Sequence, residues 1–221
     1  MSKKRNINGL YNKIIKRILD FFLSFILIII LSPFFLLFSL VVLIDSGFPV
    51  FYRAERGGYK NKKFRIIKFR TMVKNADKIG GGTTALNDPR ITKVGLFLRK
   101  TKIDEIPQLL NIFVGQMSFV GPRPELIRYT SNYSEEEQII FKVRPGLTDY
   151  SSIEYINLDE IVGDKDADSF YENNVLKLKN GLRIKYAESV SFAVDFKLFF
   201  KTIGKVIDKA FRLIFKKKGK N

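Results

Sequence analysis

Two adjacent carboxylates, Asp104 and Glu105, are the residues in this sequence best placed to do chemistry. An aspartate can attack phosphorus as a covalent nucleophile, and a neighbouring glutamate can hold a Mg²⁺ ion that bridges phosphate oxygens. Arg99 and Lys100 precede the pair closely, and we expect these cations to keep Asp104 ionised. A second interpretation stays open on these residues alone, because Asp is a favoured helix N-cap and Glu suits the first helical turn.

Three cations elsewhere are candidates for phosphate binding. Arg123 lies between Pro122 and Pro124, so its backbone is restricted, and its guanidinium fork suits bidentate contact with phosphate. Lys68 and Arg70 share one short predicted strand. A structural arginine in a rigid loop and a solvated strand face are the alternatives for these residues.

The composition of the chain limits the kinds of catalytic and metal site that it can form. The 221 residues include 39 Lys+Arg and 22 Asp+Glu, a net charge of +17, and neither Cys nor His. The sequence thus excludes disulfides, thiol nucleophiles, zinc fingers and triads that need imidazole. A metal would be a hard cation on oxygen ligands, with Mg²⁺ the natural choice beside phosphates. The charge indicates an anionic partner: nucleic acid, an anionic membrane face or phosphorylated small molecules.

A cluster of aspartates, Asp164, Asp166 and Asp168, invites comparison with a calcium loop. An EF-hand would need Gly at 169 and Glu at 175, where this chain has Ser169 and Val175. We therefore interpret the cluster as a polar loop without a metal.

A membrane segment precedes all of these residues. Residues 21–44 form a run of 24 with twenty apolar side chains, long enough for a membrane helix. Ser32 and Pro33 lie near its midpoint, where proline removes a backbone donor and bends a helix. Both flanks are basic, and basic loops stay on the cytoplasmic side, which favours a re-entrant hairpin with both ends in the cytoplasm. An ordinary kinked span is the alternative that the segment alone leaves open.

The remaining elements predict an α+β fold that is mostly helical. Residues 49–53 and 64–72 are predicted as two short strands around Gly57 and Gly58. The last helix has apolar residues at helical spacing and a basic opposite face, which indicates either a membrane-interface helix or a core-packing helix with a solvated face. Helices are predicted over residues 90–102, 104–113, 135–141, 168–186 and 196–215.

The predicted organisation has four parts. The first is a basic amino-terminal segment over residues 1–20, followed by a re-entrant helix-break-helix over residues 21–45. A cytoplasmic catalytic domain over residues 46–195 comes next, and a basic amphipathic interfacial helix and tail over residues 196–221 end the chain.

In this order the features resemble the monotopic bacterial phosphoglycosyl transferases, also called bacterial sugar transferases. The size resembles the minimal members, which have the catalytic unit without further amino-terminal membrane domains. The residues that carry the resemblance are Ser32-Pro33, the KFRTM run at 68–72, Arg99 and Lys100, the DEIPQ run at 104–108, the MSFVGPRP run at 117–124 and the RPGLT run at 144–148.

The resemblance implies a ping-pong reaction at the cytoplasmic face of the bacterial inner membrane. Asp104 would attack the sugar-proximal phosphate of a UDP-sugar and release UMP, and polyprenol phosphate would then take the phosphosugar to initiate a surface glycan. Glu105 would coordinate Mg²⁺, and no nucleic acid would be bound. The resemblance favours re-entrance, and the amphipathic surfaces of the chain leave a homodimer open. The residues implied in phosphate or nucleotide binding are Lys68, Arg70, Arg99, Lys100, Arg123 and Arg144.

Asp149 departs from the family pattern. Many members continue after the RPGLT run with Gly, an aromatic residue and Gln-Val, where this chain has Asp149 and Tyr150. We expect Asp149 to lie within reach of the nucleotide or sugar, which puts the usual donor assignments in doubt. Asp195 also resembles a family position, without an assigned role. Two rival functions remain: a non-catalytic basic membrane-surface binding protein, and another Mg²⁺-dependent enzyme acting on phospholipid head groups.

Overall fold

The structure is a computed structural model that describes residues 6–85, 87–163 and 166–215. Asp164 of the predicted polar loop lies outside the described residues, as do residues 1–5 and 216–221 of the predicted terminal segments. The described chain is mostly helical with two small sheets, which confirms the predicted fold class at that level.

The predicted membrane segment is one helix, α1, over Lys16–Ser46, preceded by a π-helical turn over Tyr11–Ile15. This helix is long and apolar enough to cross a membrane. Where a break was predicted the helix continues, with Pro33 inside it. Proline cannot donate to the carbonyl of Ile29, and the Ser32 hydroxyl donates to that oxygen instead, at 2.8 Å. The Ser-Pro pair thus leaves the freed carbonyl satisfied.

A buried polar cluster fixes the amino-terminal end of α1 to the rest of the chain. Lys16 forms an ion pair with Asp195, and both side chains are less than a tenth exposed. Asp195 also accepts hydrogen bonds from the hydroxyls of Tyr11 and Tyr186, each at 2.6 Å. A buried charge must be paired and hydrogen-bonded, and Asp195 is both. The structure thereby gives Asp195 a structural role in joining the two ends of the chain.

The carboxyl-terminal end of α1 is held by Arg70. Its Nη2 atom donates to the carbonyl oxygen of Gly47 at 2.6 Å and also to that of Ser46. A cation at the end of a helix satisfies carbonyls that have no partner in the helix. In the same half of α1, Phe38 packs against Phe69, with ring centroids 6.3 Å apart. Both ends of α1 are therefore attached to the same body.

Two sheets form the framework of that body. Strands β1 (Phe51–Gly57) and β2 (Lys63–Phe69) are antiparallel, which confirms the predicted hairpin, with a 3₁₀ turn over Tyr59–Asn61 in the connection. Strands β3 (Ser118–Val120) and β4 (Gly146–Thr148) pair in parallel and were not predicted. A Cβ atom on Gly146 would lie 2.2 Å from the backbone nitrogen of Gly121, so this crossing needs glycine.

The predicted helical segments are present with other bounds, and several short helices were not predicted. The 104–113 helix is a 3₁₀ turn (Ile103–Glu105) followed by a short helix, and the 135–141 helix is a 3₁₀ helix (Glu137–Lys142). A π-helical turn (Tyr171–Val175) joins two pieces of the 168–186 helix. The α-helices after α1 are α2 (Ala76–Ile79), α3 (Lys93–Thr101), α4 (Gln108–Phe113), α5 (Ile127–Thr130), α6 (Tyr150–Glu154), α7 (Leu158–Val162), α8 (Ala167–Phe170), α9 (Leu176–Ser189) and α10 (Phe192–Phe215).

Helix α10 packs on the body with one face and exposes an aromatic face. Leu198 is buried, and the Thr202 hydroxyl lies 2.6 Å from that of Thr148 at the end of β4. Lys205 donates to the carbonyl of Ile153 at 2.9 Å, so part of the basic face points inward. The core-packing interpretation is thus confirmed for one face, and the membrane-interface interpretation stays a prediction for the other. The exposed face carries Phe192, Phe196, Phe200, Ile203, Ile207 and Phe211.

Candidate active site

The two carboxylates lie on a tight turn between α3 and α4. Lys102 ends α3 in a left-handed conformation, φ 62°, and the chain then enters the 3₁₀ turn that carries Asp104 and Glu105. The N-cap position of α4 is Pro107, and neither carboxylate forms a side-chain capping bond there. The capping interpretation is therefore wrong, and both side chains are available for another role.

Glu105 is held by two cations from distant parts of the chain. Arg123 Nη1 donates to Oε2 at 3.0 Å, and Nη2 donates to Oε1. Lys68 Nζ lies 3.3 Å from Oε1. Burial raises the pKa of Glu105, but the charges of Arg123 and Lys68 outweigh it and hold the pKa well below its usual value. Glu105 is thus ionised in this arrangement.

Asp104 has a different environment. The residue is buried, and its Oδ1 atom finds no hydrogen-bond partner among the described residues. Burial first, and the charge of Glu105 second, raise the pKa of Asp104 despite the opposing charges of Lys68, Lys102 and Arg99. Desolvation therefore outweighs the nearby cations in setting the direction of the pKa shift of Asp104, and its ionisation beside Arg99 and Lys100 stays a prediction.

The structure brings most of the predicted cations to one cavity of ≈ 1540 Å³. Lys68, Arg99, Lys100 and Arg123 line it together with the two carboxylates. Arg123 also donates to the carbonyl of Leu147 at 3.1 Å, which ties the Pro-Arg-Pro loop to β4. Four cations and two carboxylates share one cavity wall, and Lys68 and Arg123 lie directly beside Glu105, which makes the site suited to phosphate groups.

Two predicted phosphate-binding residues have other contacts. Arg70 lines the cavity, but its Nη2 atom is used at the end of α1; its Nε and Nη1 atoms are buried without a described partner. Arg144 does not line the cavity in the described chain, and its guanidinium lies 5.0 Å from the ring centroid of Tyr59. A contact of that kind is a cation–π interaction, so Arg144 packs against the loop between β1 and β2.

The cavity extends from the carboxylates to the apolar helices. Its wall includes Leu27 and Leu31 of α1 and Phe199 and Ile203 of α10. The cavity wall therefore contains both charged and apolar residues. A cavity of this composition can hold a ligand with a phosphate and a hydrocarbon chain.

A buried ion-pair network behind Arg123 was missed by sequence reasoning. Glu125 accepts hydrogen bonds from Arg183, whose side chain is fully buried, and from the Tyr171 hydroxyl, while Lys179 Nζ lies 3.7 Å away. Burial raises the pKa of Glu125, but Arg183 and Lys179 lower it to about 2. The partners are more than forty residues apart in the sequence, and no local pattern signals them.

The glycine-rich loop near residue 82 is held by Asp168. The Asp168 carboxylate accepts from the backbone nitrogens of Gly82 and Thr83, at 3.1 and 2.7 Å, and pairs with Arg128 at 2.7 Å. Asp166 caps α8 through the backbone nitrogen of residue 169. The described residues contain no group of three or more acidic side chains that could hold a metal ion.

Asp149 has a structural role that its sequence position did not predict. The residue is fully buried and caps α6, accepting from the backbone nitrogen of Ser152 at 2.7 Å and from the hydroxyl of Ser151 at 2.8 Å. Its side chain is not part of the cavity wall in the described chain. This geometry therefore does not support the expected contact of Asp149 with the nucleotide or sugar.

Comparison with known proteins gives a consistent result. A family model described as bacterial sugar transferase matches residues 11–209. The UDP-glucose:undecaprenyl-phosphate glucose-1-phosphate transferase of Escherichia coli (strain K12) is 39% identical over 146 residues, 64% of this chain and 31% of the relative. The uncharacterized sugar transferase EpsL of Bacillus subtilis (strain 168) is 34% identical over 194 residues, 88% of each chain.

A third relative is shorter than the Escherichia coli protein. The putative undecaprenyl-phosphate N-acetylgalactosaminyl 1-phosphate transferase of Bacillus subtilis (strain 168) is 38% identical over 122 residues, 55% of this chain and 68% of the relative. The names of the Escherichia coli relative and of this Bacillus subtilis relative differ in the sugar, which is glucose in the first and N-acetylgalactosamine in the second. The chain spans about a third of the length of the Escherichia coli relative.

Proposed function

This chain belongs to the bacterial sugar transferase family, and we propose that it transfers a phosphosugar from a UDP-sugar to polyprenol phosphate, undecaprenyl phosphate in most bacteria. The observation that carries the proposal is one cavity lined both by Asp104, Glu105 and cations and by apolar side chains of α1 and α10. One substrate is a soluble polyanion and the other is a lipid, and this cavity has a wall suited to each.

The reaction would use Asp104 as the nucleophile. A carboxylate oxygen of Asp104 forms a bond to the sugar-proximal phosphorus, and the bond from that phosphorus to the bridging oxygen breaks, so UMP leaves with the electron pair. A phosphate oxygen of the polyprenol phosphate then attacks the same phosphorus and releases the Asp104 carboxylate. Lys68 and Arg123 lie beside the carboxylates, where they would stabilise the negative charge on the phosphoryl oxygens.

The carboxylate pair fits a Mg²⁺ ion. Mg²⁺ is usually held by one or two carboxylates together with water and substrate phosphates, and a cluster of three acidic residues is not needed. The buried Oδ1 atom of Asp104 has no described partner, and Glu105 is ionised beside it. Bound there by Glu105, the ion would neutralise phosphate charge and lower the pKa of Asp104.

A re-entrant arrangement of α1 at the cytoplasmic face of the inner membrane is part of the proposal. Its support is the attachment of both ends of α1 to one body, through Lys16 and through Arg70. A straight span would carry these ends to opposite sides of the membrane. The exposed aromatic face of α10 would lie in the membrane interface beside α1, since Tyr11 and Phe192 are in edge contact at 6.2 Å.

Nucleotide release distinguishes the candidate functions. Detergent-solubilised protein would be incubated with Mg²⁺, undecaprenyl phosphate and a panel of UDP-sugars that includes UDP-glucose and UDP-N-acetylgalactosamine, with Asp104→Asn as the control. We expect UMP from the wild type and none from the variant. UDP release would contradict phosphosugar transfer, and no nucleotide release from any donor would favour a non-catalytic membrane-surface protein.

A further inference from the structure

Lys179 of α9 is a buried cation with no part in the reaction described above. Its side chain is only 7% exposed, yet it lines the same cavity as Asp104 and Arg123. Within the described chain, neither Asp104 nor Glu105 lies within ion-pair distance of its ammonium group. Lys179 therefore belongs to a part of the cavity wall separate from the carboxylate pair.

The ammonium of Lys179 forms no hydrogen bond within the described chain. Its Nζ lies 3.7 Å from Glu125 Oε1, which is an ion pair but beyond hydrogen-bond distance. That oxygen already accepts from Arg183 and Tyr171. The described residues offer Nζ no closer acceptor, although an ammonium has three donors and burial without a hydrogen bond is costly. A ligand oxygen in the cavity would satisfy it.

The position of Lys179 is fixed before any ligand arrives. Nζ lies 5.0 Å from the ring centroid of Tyr171, within cation–π range, and the hydroxyl of that tyrosine is bound to Glu125. Burial lowers the pKa of Lys179 to about 8, an effect that the charge of Glu125 opposes. A donor held in place in this way loses little entropy on binding.

The surroundings of Lys179 suit a neutral or acidic oxygen-rich group. Tyr129, Tyr155 and Tyr171 contribute to the cavity wall on this side, and Lys179 supplies the charged donor. The reacting phosphate would be held at Asp104 and Arg123, so Lys179 would reach a part of the donor that does not react.

We propose that Lys179 binds an oxygen substituent of the donor sugar and so helps to determine which UDP-sugar is used. The substituent would be a hydroxyl, an amide carbonyl or a carboxylate, each of which accepts from an ammonium. The proposal rests on the function proposed above, because it places a nucleotide sugar in this cavity.

The experiment compares binding of a UDP-sugar with binding of UDP, which lacks the sugar. All proteins would carry Asp104→Asn so that the donor is not consumed, and titration calorimetry would use the UDP-sugar that the wild type turns over fastest. Lys179→Met removes the ammonium, and Lys179→Gln keeps a neutral donor in case the methionine variant does not fold. Lys177→Met, an exposed position on the same helix, is the matched control.

We expect Lys179→Met to raise the Kd for the UDP-sugar roughly 10- to 100-fold, the loss expected for a hydrogen bond from a charged group, and to leave the Kd for UDP within about 2-fold. Lys177→Met should change neither. Equal weakening of both ligands would place Lys179 on the nucleotide, and no weakening of either would remove it from the site; both results overturn the proposal. A wild type that turns over no UDP-sugar would instead overturn the proposed function.

Discussion

Arg123 and Glu105 form a two-point contact. The two terminal guanidinium nitrogens of the arginine, Nη1 and Nη2, donate to the carboxylate oxygens Oε2 and Oε1 of the glutamate, respectively. The arginine stands between two prolines and the glutamate on a 3₁₀ turn, so each partner has a restricted backbone. The contact fixes the orientation of Glu105, and through the chain that of Asp104 beside it.

Replacement of Arg123 tests this two-point contact. Lysine keeps the charge but cannot form the planar fork, so we expect Arg123→Lys to lower kcat/KM for UMP release by about 10²-fold and Arg123→Met by more. Arg65→Met, at an exposed arginine of β2, is the matched control and should leave the rate unchanged. An Arg123→Lys variant as active as the wild type would contradict the role assigned to the fork.

The lowered pKa of Glu125 predicts that the stability of the fold decreases at acid pH. Its folded-state pKa is lowered from 4.5 to about 2, so its stabilising contribution is complete above pH 4.5 and is lost as the pH falls from there toward 2. The contribution is on the order of 3 kcal/mol at neutral pH. We expect Glu125→Gln to lower the melting temperature at neutral pH, because it leaves Arg183 buried without a charge partner.

The measurement for Glu125 is thermal unfolding followed by far-ultraviolet circular dichroism, since the chain has no Trp. The difference in melting temperature between wild type and Glu125→Gln should shrink as the pH falls below 4.5. A difference that stays constant across this range would show that Glu125 does not titrate as the ion pair with Arg183 requires. Glu136→Gln, at an exposed glutamate, serves as the control.

Re-entrance predicts that both flanks of α1 are on one side of the membrane. The chain has no Cys, so single cysteines at the exposed positions Lys13 and Lys62 give unambiguous labelling. In intact bacterial spheroplasts, a membrane-impermeant maleimide should label neither Lys13→Cys nor Lys62→Cys, and after permeabilisation it should label both. Labelling of only one of them before permeabilisation would establish a straight span.

We expect replacement of Lys16, at the start of α1, to cause a large loss of stability. Lys16→Met leaves Asp195 buried without its cation, and removing one partner of a buried pair costs about 3–5 kcal/mol. We expect a lower melting temperature and easier proteolysis near the start of α1. Lys16→Met combined with Asp195→Leu should recover part of the loss, because the carboxylate of Asp195 is then no longer left without its cation; a double variant less stable than the single one would contradict this account.

The candidate site was predictable where its residues form short runs with restricted backbones. Asp104, Glu105 and Arg123 lie together as the resemblance implies, and the restricted Pro-Arg-Pro loop is visible in the sequence, whereas the 3₁₀ turn that carries the carboxylates was predicted as the start of a helix. The direction of the pKa shift of Asp104 was not predictable, because burial is a property of the folded chain and here outweighs nearby cations. The three-residue strands β3 and β4 carry no detectable alternation, so their parallel pairing was also missed.

The contacts at the start of α1 have a consequence for the order of synthesis. Lys16 is separated from Asp195 by 179 positions, and Asp20 from Ser118 by 98. The apolar segment leaves the ribosome long before either partner has been made. Lys16 and Asp20 can therefore be paired only after these partners have been made, which for Asp195 means after α10 has begun to emerge. A chain truncated before α10 would lack the carboxylate that pairs with Lys16.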